Sequence, residues 1–411
     1  MIIHIRKIEV KTLAMIIIIW LFAFQRALVS VSNIFGYIDE VFALFALSYI
    51  CIRWFKEKAI KKTDFVLLAL MFLLVIEGII SNMISGLLTN VFAVGIDIVS
   101  TFKVLLIYIW AKNEVVDSDA IIVSIARFAR CVVVIAFVCM LISQVTDIGM
   151  SDSARYGIKS FKFVFDNAGN FSKFFYFLIP VLTIDLKYDS GIWKKIMIAL
   201  ACVCWLSTLR SRAFSFVAVY LLFCYLYFKR GDIAVELKNK WHYGIVLVAV
   251  ALYFSWDQLI FYFTTSTQAR AVLLKYSFIT LAEYFPIGSG FGTYGSDIAI
   301  EYYSELYSLY GFSRIYGMGA VHTYYLNDNY WPMIIAQFGL IGTCIMLSIL
   351  WKIHKEIIQK AKKDRYSYFA ALCALVFLLI SSVASKSYSE YSSICVFIFL
   401  GIMICQKQEK G

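Results

Sequence analysis

Apolar runs recur along this chain, separated by short polar breaks. They fall at 10–27, 38–54, 64–84, 91–111, 125–146, 171–187, 193–209, 212–228, 242–257, 330–351, 367–385 and 391–406. Each is near the ~20 residues of helix that a bilayer core requires. Inside lipid the backbone must satisfy its own polar groups, which a helix does. The pattern predicts an all-α polytopic membrane protein of about twelve transmembrane helices, organised as a single transmembrane domain over 1–411.

One interruption is far longer than the rest. Residues 257–329, between the ninth and tenth runs, are polar and rich in Tyr and Gly. Connections between packed helices are usually short, so a break this long is expected to work and not merely to link. Within it, 268–284 (QARAVLLKYSFITLAEY) has the spacing of an amphipathic helix with Arg270 in its first turn. Residues 297–310 (DIAIEYYSELYSLY) suit a second, tyrosine-rich helix, whose rings fit either sugar faces or a membrane interface. A shorter polar break covers 147–172.

Composition agrees with the pattern: 62% of residues are hydrophobic, 16% are charged, and there are only 3 Pro in 411 residues. That is more apolar sequence than a soluble core uses. Arg6, Lys7 and Lys11 lead straight into the first apolar run without a small-residue cleavage site, so no cleavable signal peptide is expected. The ten cysteines all lie in or beside apolar runs, with neither metal spacing nor a disulfide framework, and read as small hydrophobes.

The net charge of +11 follows topology and gives no reason to invoke nucleic acid. Lys and Arg collect in alternate breaks: the N-terminus, 53–62, 112–130, 187–195, 229–240, 352–365 and the tail with Lys407 and Lys410. The breaks at 28–37 and 85–90 carry none, and 386–390 has only Lys386. By the positive-inside rule both termini are cytoplasmic, and 257–329 and 147–172 are extracytoplasmic. Three outer regions break that rule: Arg155, Lys159, Lys162 and Lys173; Arg210 and Arg212; and Arg270, Lys275 and Arg314. Two readings stand, an anionic ligand or snorkelling toward lipid headgroups.

Acidic groups also sit toward the outer side of the spans. Glu77, Asp97, Asp39 and Glu40 do so with Arg26, while Lys103 is nearer mid-membrane. Either an aqueous pocket or pairing between helices, such as Asp97 with Lys103, accounts for them. In the long break, PIGSGFGTYG (Pro286 to Gly295) offers Gly288 and Gly290 as a phosphate cradle, or simply as a turn. It is not the GxxxxGK[ST] phosphate loop. His322 is the one histidine placed outside, and it can move a proton near neutral pH. There is no HExxH, no Ser-His-Asp signature and no DxD-type acidic pair in a soluble domain, so a nucleotide-sugar glycosyltransferase of the cytoplasmic kind is not expected, nor is a metal site or a cofactor.

Taken in order, LSTLRSRAFSFVAVYLL (Leu206 to Leu222), the QAR with Arg270, the PIGSGFGTYG turn, the His322-Thr323 pair, DNYW (Asp328 to Trp331) and GLIG (Gly339 to Gly342) form a pattern. It resembles the bacterial O-antigen polymerase and ligase superfamily, with the closer likeness to the Wzy-type polysaccharide polymerases. The likeness is clearest over about 205–345 and extends to DNAGN (Asp166 to Asn170). It departs from the ligases, where a His-Asn pair is followed closely by the Gly of the next helix. Here His322 lies well upstream of Gly339, while the spacing from Asp328-Asn329 to Gly339 suits the polymerases.

The resemblance implies a glycosyltransferase of the bacterial cytoplasmic membrane that joins undecaprenyl-pyrophosphate-linked oligosaccharide units at the outer face. Arg210 and Arg270 would stabilise the leaving pyrophosphate, and His322 would be the base, with Asp328 or Glu77 behind it. Arg212, Asn167, Asn327, Asp328, Asn329, Gly288, Gly290 and Glu77 would bind substrate. Implied partners are the lipid-linked oligosaccharide, membrane lipid, a chain-length regulator and a flippase. An O-antigen ligase is the second expectation, and a lipid-linked oligosaccharide flippase or transporter the third.

Overall fold

The computed structural model describes residues 10–57, 61–114, 116–155, 157–230 and 268–405. The run at 242–257, expected as the ninth span, lies outside the described residues, as do 257–267 of the long break and the charged ends at 1–9 and 406–411. A helix covers each of the other expected runs. These are α1 (Val10–Val29), α2 (Ile38–Glu57), α3 (Lys62–Ser85), α4 (Val91–Asn113), α5 (Ser118–Val145), α6 (Ala168–Asp185), α7 (Ile192–Leu206) and α8 (Ser211–Arg230), then α12 (Tyr330–Ala361), α13 (Arg365–Ser381) and α14 (Tyr391–Ile404). Among the described residues six helices are long and apolar enough to cross a membrane: α1 to α5 and α12. The chain is a helical membrane protein.

Local chemistry sets the ends of these helices. Asn90 caps α4 by accepting from the N–H groups of Phe92 and Ala93 at 3.0 and 3.3 Å. Asn167 caps α6 through the N–H of Asn170 at 2.9 Å, and Asp364 caps α13 through Ser367 at 2.8 Å. Such caps occupy N–H groups that have no partner within the helix. Gly86, with φ +64°, closes α3 by donating to the Asn82 carbonyl.

The helix at the centre is the last one. Every residue of α14 from Ser393 to Ile404 is buried, against α1, α4, α6, α12 and α13. An apolar surface all round a helix has to be enclosed on all sides, and these neighbours enclose it. The outward faces of α2, α3 and α4 instead leave Leu44, Phe45, Phe72, Ile80, Met83 and Phe92 exposed, as a lipid-facing surface would.

Two features depart from a simple up-and-down bundle. At Gly339 (φ 58°, ψ −154°) α12 breaks, in a backbone region that is essentially reserved for glycine. The ring of Tyr388 lies 5.4 Å from Tyr330 and 5.8 Å from His354. In a straight helix Tyr330 and His354 would stand ~36 Å apart, so α12 doubles back at Gly339. The segment 330–338 is therefore a re-entrant piece leading into 340–361. Non-helical backbone at such depth is tolerated when protein surrounds it.

The second is the segment 268–329. Its first expected helix forms as α9 (Ala269–Glu283), packed on α12. The expected helix at 297–310 is instead two short helices, α10 (Asp297–Glu301) and α11 (Glu305–Leu309). They are divided at Tyr303 (φ +44°), after which Ser304 caps α11. Tyr294, Tyr307, Leu306, Phe312 and Met318 form a small core of their own here. The break at 147–172 contains a hairpin, β1 (Ser151–Arg155) with β2 (Ile158–Phe161), in register Ala154 to Lys159.

Asp97 does not pair with Lys103. Six residues on one helix place the two side chains about 120° apart. Lys103 turns to α2, where it holds Asp39 and, at 2.6 Å, Glu40. Asp97 accepts from the N–H of Gly292 at 2.7 Å.

Candidate functional site

A cavity of ≈ 360 Å³ opens where one end of the bundle meets the 268–329 segment. Its wall comes from the C-terminal part of α1 (Arg26), from Lys103 of α4, and from the start of α6 (Asn167, Asn170, Lys173). Asp297, Tyr324, Asn327 and Asp328 come from above, and Lys386, Ser389, Glu390 and Tyr391 from the link into α14. Three helices begin at this cavity: α6, the 330–338 piece of α12, and α14. Their positive dipole ends favour an anion there.

The charged side chains arrive in pairs. Lys173 meets Glu390 at 2.7 Å, Lys386 meets Asp297 at 2.7 Å, and Arg26 meets Asp166 at 3.0 Å. Arg270 holds Asp328 at 3.1 Å on the rim. Asn327 donates to Asp297 at 2.6 Å. Partial desolvation pushes the Asp297 carboxyl up, although its side chain is exposed, but Lys386 and the Asn327 amide outweigh this and hold it below the ordinary carboxylate range.

Arg210 reaches Asp152 at 3.3 Å and its guanidinium lies beside the first turn of α6, 3.9 Å from where a Cβ on Gly169 would sit. Arg212 lies among Tyr176, Glu390 and Asp328. Each arginine keeps one buried nitrogen, Nε of Arg210 and Nη1 of Arg212, with no hydrogen-bond partner. A buried donor left open is costly unless a ligand or water takes it.

The structure thus gathers Asn167, Asn327 and Asp328 in the cavity wall; Arg212, Arg270 and Arg210 do not line it but stand behind it, against Glu390, Asp328 and the first turn of α6. Asn329 is buried behind, donating to the Arg270 carbonyl at 3.3 Å. His322 is exposed and does not line the cavity; its Nδ1 is 3.3 Å from the hydroxyl of Tyr324, which does.

Gly288, Gly290 and Glu77 are elsewhere, and here the expectation is corrected. The run from Gly288 to Ser296 is buried between α3, α4 and α12. Five of its N–H groups are already taken. Ser289 donates to the Ala336 carbonyl (2.9 Å), Gly290 to Gln337 (2.8 Å), Phe291 to Asn82 (2.8 Å), Gly292 to Asp97 (2.7 Å) and Gly295 to the Tyr307 hydroxyl (2.7 Å). The N–H groups of Gly290 and its neighbours are thus committed to protein. The glycines serve close backbone packing, since a Cβ on Gly290 would stand 2.5 Å from Asn82. Glu77 lies beneath this run, bonded by Ser81 at 3.3 Å.

Sequence reasoning passed over Lys386, Glu390 and Asn170 as site residues. Lys386 carried one signal, as the single cation of a break expected on the outer face. Among the described residues no cluster of His, Cys, Asp and Glu suits a metal. No protein-family model matches the chain, and no curated protein matches it.

Proposed function

We propose that the chain is a polysaccharide polymerase, joining polyprenyl-diphosphate-linked oligosaccharide units by glycosyl transfer. The observation that carries the reading is the convergence of three helix N-termini and a set of paired cations on one cavity, beside two arginines with open N–H donors. That arrangement suits a substrate with a multiply charged anionic group and many hydroxyls.

In this reading about twelve helices span the bacterial cytoplasmic membrane, both termini are cytoplasmic and the cavity opens to the outer leaflet. The 14 residues of α14 extend ~21 Å, against the ~30 Å of a bilayer core. With its C-terminal end at the inner boundary, the cavity floor lies ~10 Å beneath the outer one. A lipid-linked head is then drawn below the surface, away from bulk water.

The acceptor hydroxyl oxygen attacks the anomeric carbon of the donor sugar. The bond from that carbon to the diphosphate oxygen breaks, its electron pair leaves with the polyprenyl diphosphate, and the hydroxyl proton passes to Asp328. Arg270 fixes the Asp328 carboxylate, the role of an orienting partner to a base. Lys173, Lys386, Arg26, Arg210 and Arg212 take the charge that develops on the leaving group. The lysines and Arg26 are held by carboxylates meanwhile, so diphosphate exchanges one anion for another at preformed positions. Asn167, Asn170, Asn327 and Tyr324 hold sugar hydroxyls and ring faces.

The test is purified protein in liposomes with a synthetic polyprenyl-diphosphate repeat unit, without ATP or nucleotide sugar. A ladder of products is expected, shortened by Arg210→Ala and by Arg270→Ala. Full-length polymer from both variants at normal protein levels would refute the diphosphate assignment. Transfer only to a second acceptor glycolipid would indicate a ligase, and translocation without extension a flippase.

A further inference from the structure

We infer that the groove between α2 and α4 is the lateral path by which the polyprenyl tail of the substrate reaches the cavity from the bilayer; the inference rests on the function proposed above. The groove encloses ≈ 610 Å³ and is lined by Leu44, Val91, Phe92, Ile96 and Val99, with Gly95 on its floor. It exists because the two helices start at different heights. Lys103, twelve residues into α4, is level with Asp39 and Glu40 in the first turn of α2. The first ~18 Å of α4 therefore extends past the start of α2. Val91 and Phe92 on that overhang are 85% and 74% exposed.

Two observations separate this groove from ordinary lipid-facing surface. It ends on a charged side chain, Glu40, whose partner at 2.6 Å is Lys103, a residue of the cavity wall. Apolar groove and polar cavity thus meet across one ion pair, as the junction of tail and head in an amphiphile requires. The second oxygen of Glu40 is also buried, beside Asp39, with its own acceptor capacity unfilled. A comparable groove on the other side of α2, lined by Ile34, Tyr37, Ile38, Val41, Phe42 and Phe45, has no charged residue; it meets the cavity wall through apolar rings, Phe42 against Phe22 at 5.3 Å, with no polar junction for a head.

The structure supplies a clean obstruction. A Cβ on Gly95 would meet no atom within 4 Å, and the same holds for Gly36 near the other groove. Both Gly95→Phe and Gly36→Phe are therefore expected to fold. In proteoliposomes Gly95→Phe should slow extension at least tenfold, mainly through KM, with Gly36→Phe within twofold of the parent. A photoreactive residue at position 95 should label a radioactive polyprenyl diphosphate in preference to phosphatidylglycerol at equal mole fraction. Unchanged extension by Gly95→Phe, or equal labelling of the two lipids, would overturn the path. Preferential labelling by a protein that extends nothing would support the path and remove the polymerase reading instead.

Discussion

Replacing Gly288 by Ala separates two roles for the glycine run, because they move different measurements. A Cβ there would lie 2.3 Å from the Gln337 carbonyl carbon and oxygen and 2.5 Å from the Ala336 carbonyl oxygen. All three are backbone atoms of α12, so no side chain can turn aside. Gly288 does not have a positive φ, so the substitution adds no backbone strain of its own. Relief requires the run to withdraw from α12, which stretches the bonds from Ser289 to Ala336 (2.9 Å) and from Gly290 to Gln337 (2.8 Å). Two buried backbone groups left unsatisfied cost about 1–3 kcal/mol each, hence roughly 2–6 kcal/mol in all. The assay is unfolding in mixed micelles as the denaturing detergent fraction rises, followed by fluorescence. Gly95→Ala, with nothing around its Cβ, is the control and should be neutral or stabilising by up to ~1 kcal/mol. If the run were a phosphate cradle, Gly288→Ala would keep its stability and lose substrate affinity. A Gly288→Ala protein within ~0.5 kcal/mol of the parent would refute the packing role.

Three further outcomes follow from the same geometry. Lys103→Met leaves Asp39 and Glu40 without their cation and should destabilise by about 3–5 kcal/mol, with much of the loss recovered by adding Asp39→Asn and Glu40→Gln. The Asp297 carboxyl is held below its unfolded value, so it contributes stability above about pH 4 that is lost as pH falls toward its folded value. The difference in melting temperature between the parent and Asp297→Asn should therefore be constant near neutrality and shrink below about pH 4. His322→Ala should slow extension by less than about tenfold, because a general base typically contributes 10²–10⁴; a loss of a hundredfold would put His322 in the chemistry.

The helices were readable because a long apolar stretch has one dominant way to satisfy itself in lipid. That signal does not distinguish a helix that crosses from one that turns back. Residues 330–351 read as a single run, yet the chain folds at Gly339, which stood in view within GLIG. Hydropathy is blind to the event because the 330–338 piece is buried by protein and can be as apolar as a span. The glycines of PIGSGFGTYG were visible as a place where backbones approach closely. What approaches them is decided forty to two hundred residues away, by Ala336, Gln337, Asn82 and Asp97. The arginines at 210, 212 and 270 were legible because cations in breaks expected on the outer face run against the positive-inside rule. Lys386 and Glu390 were not, since SKSYSE looks like an ordinary link between helices. Their position follows from where α14 starts, which brings the link to the cavity wall. Placement of a site by where its central helix starts is a property of three-dimensional packing. The matching feature along the sequence was only a last apolar run that begins a few residues after a lysine.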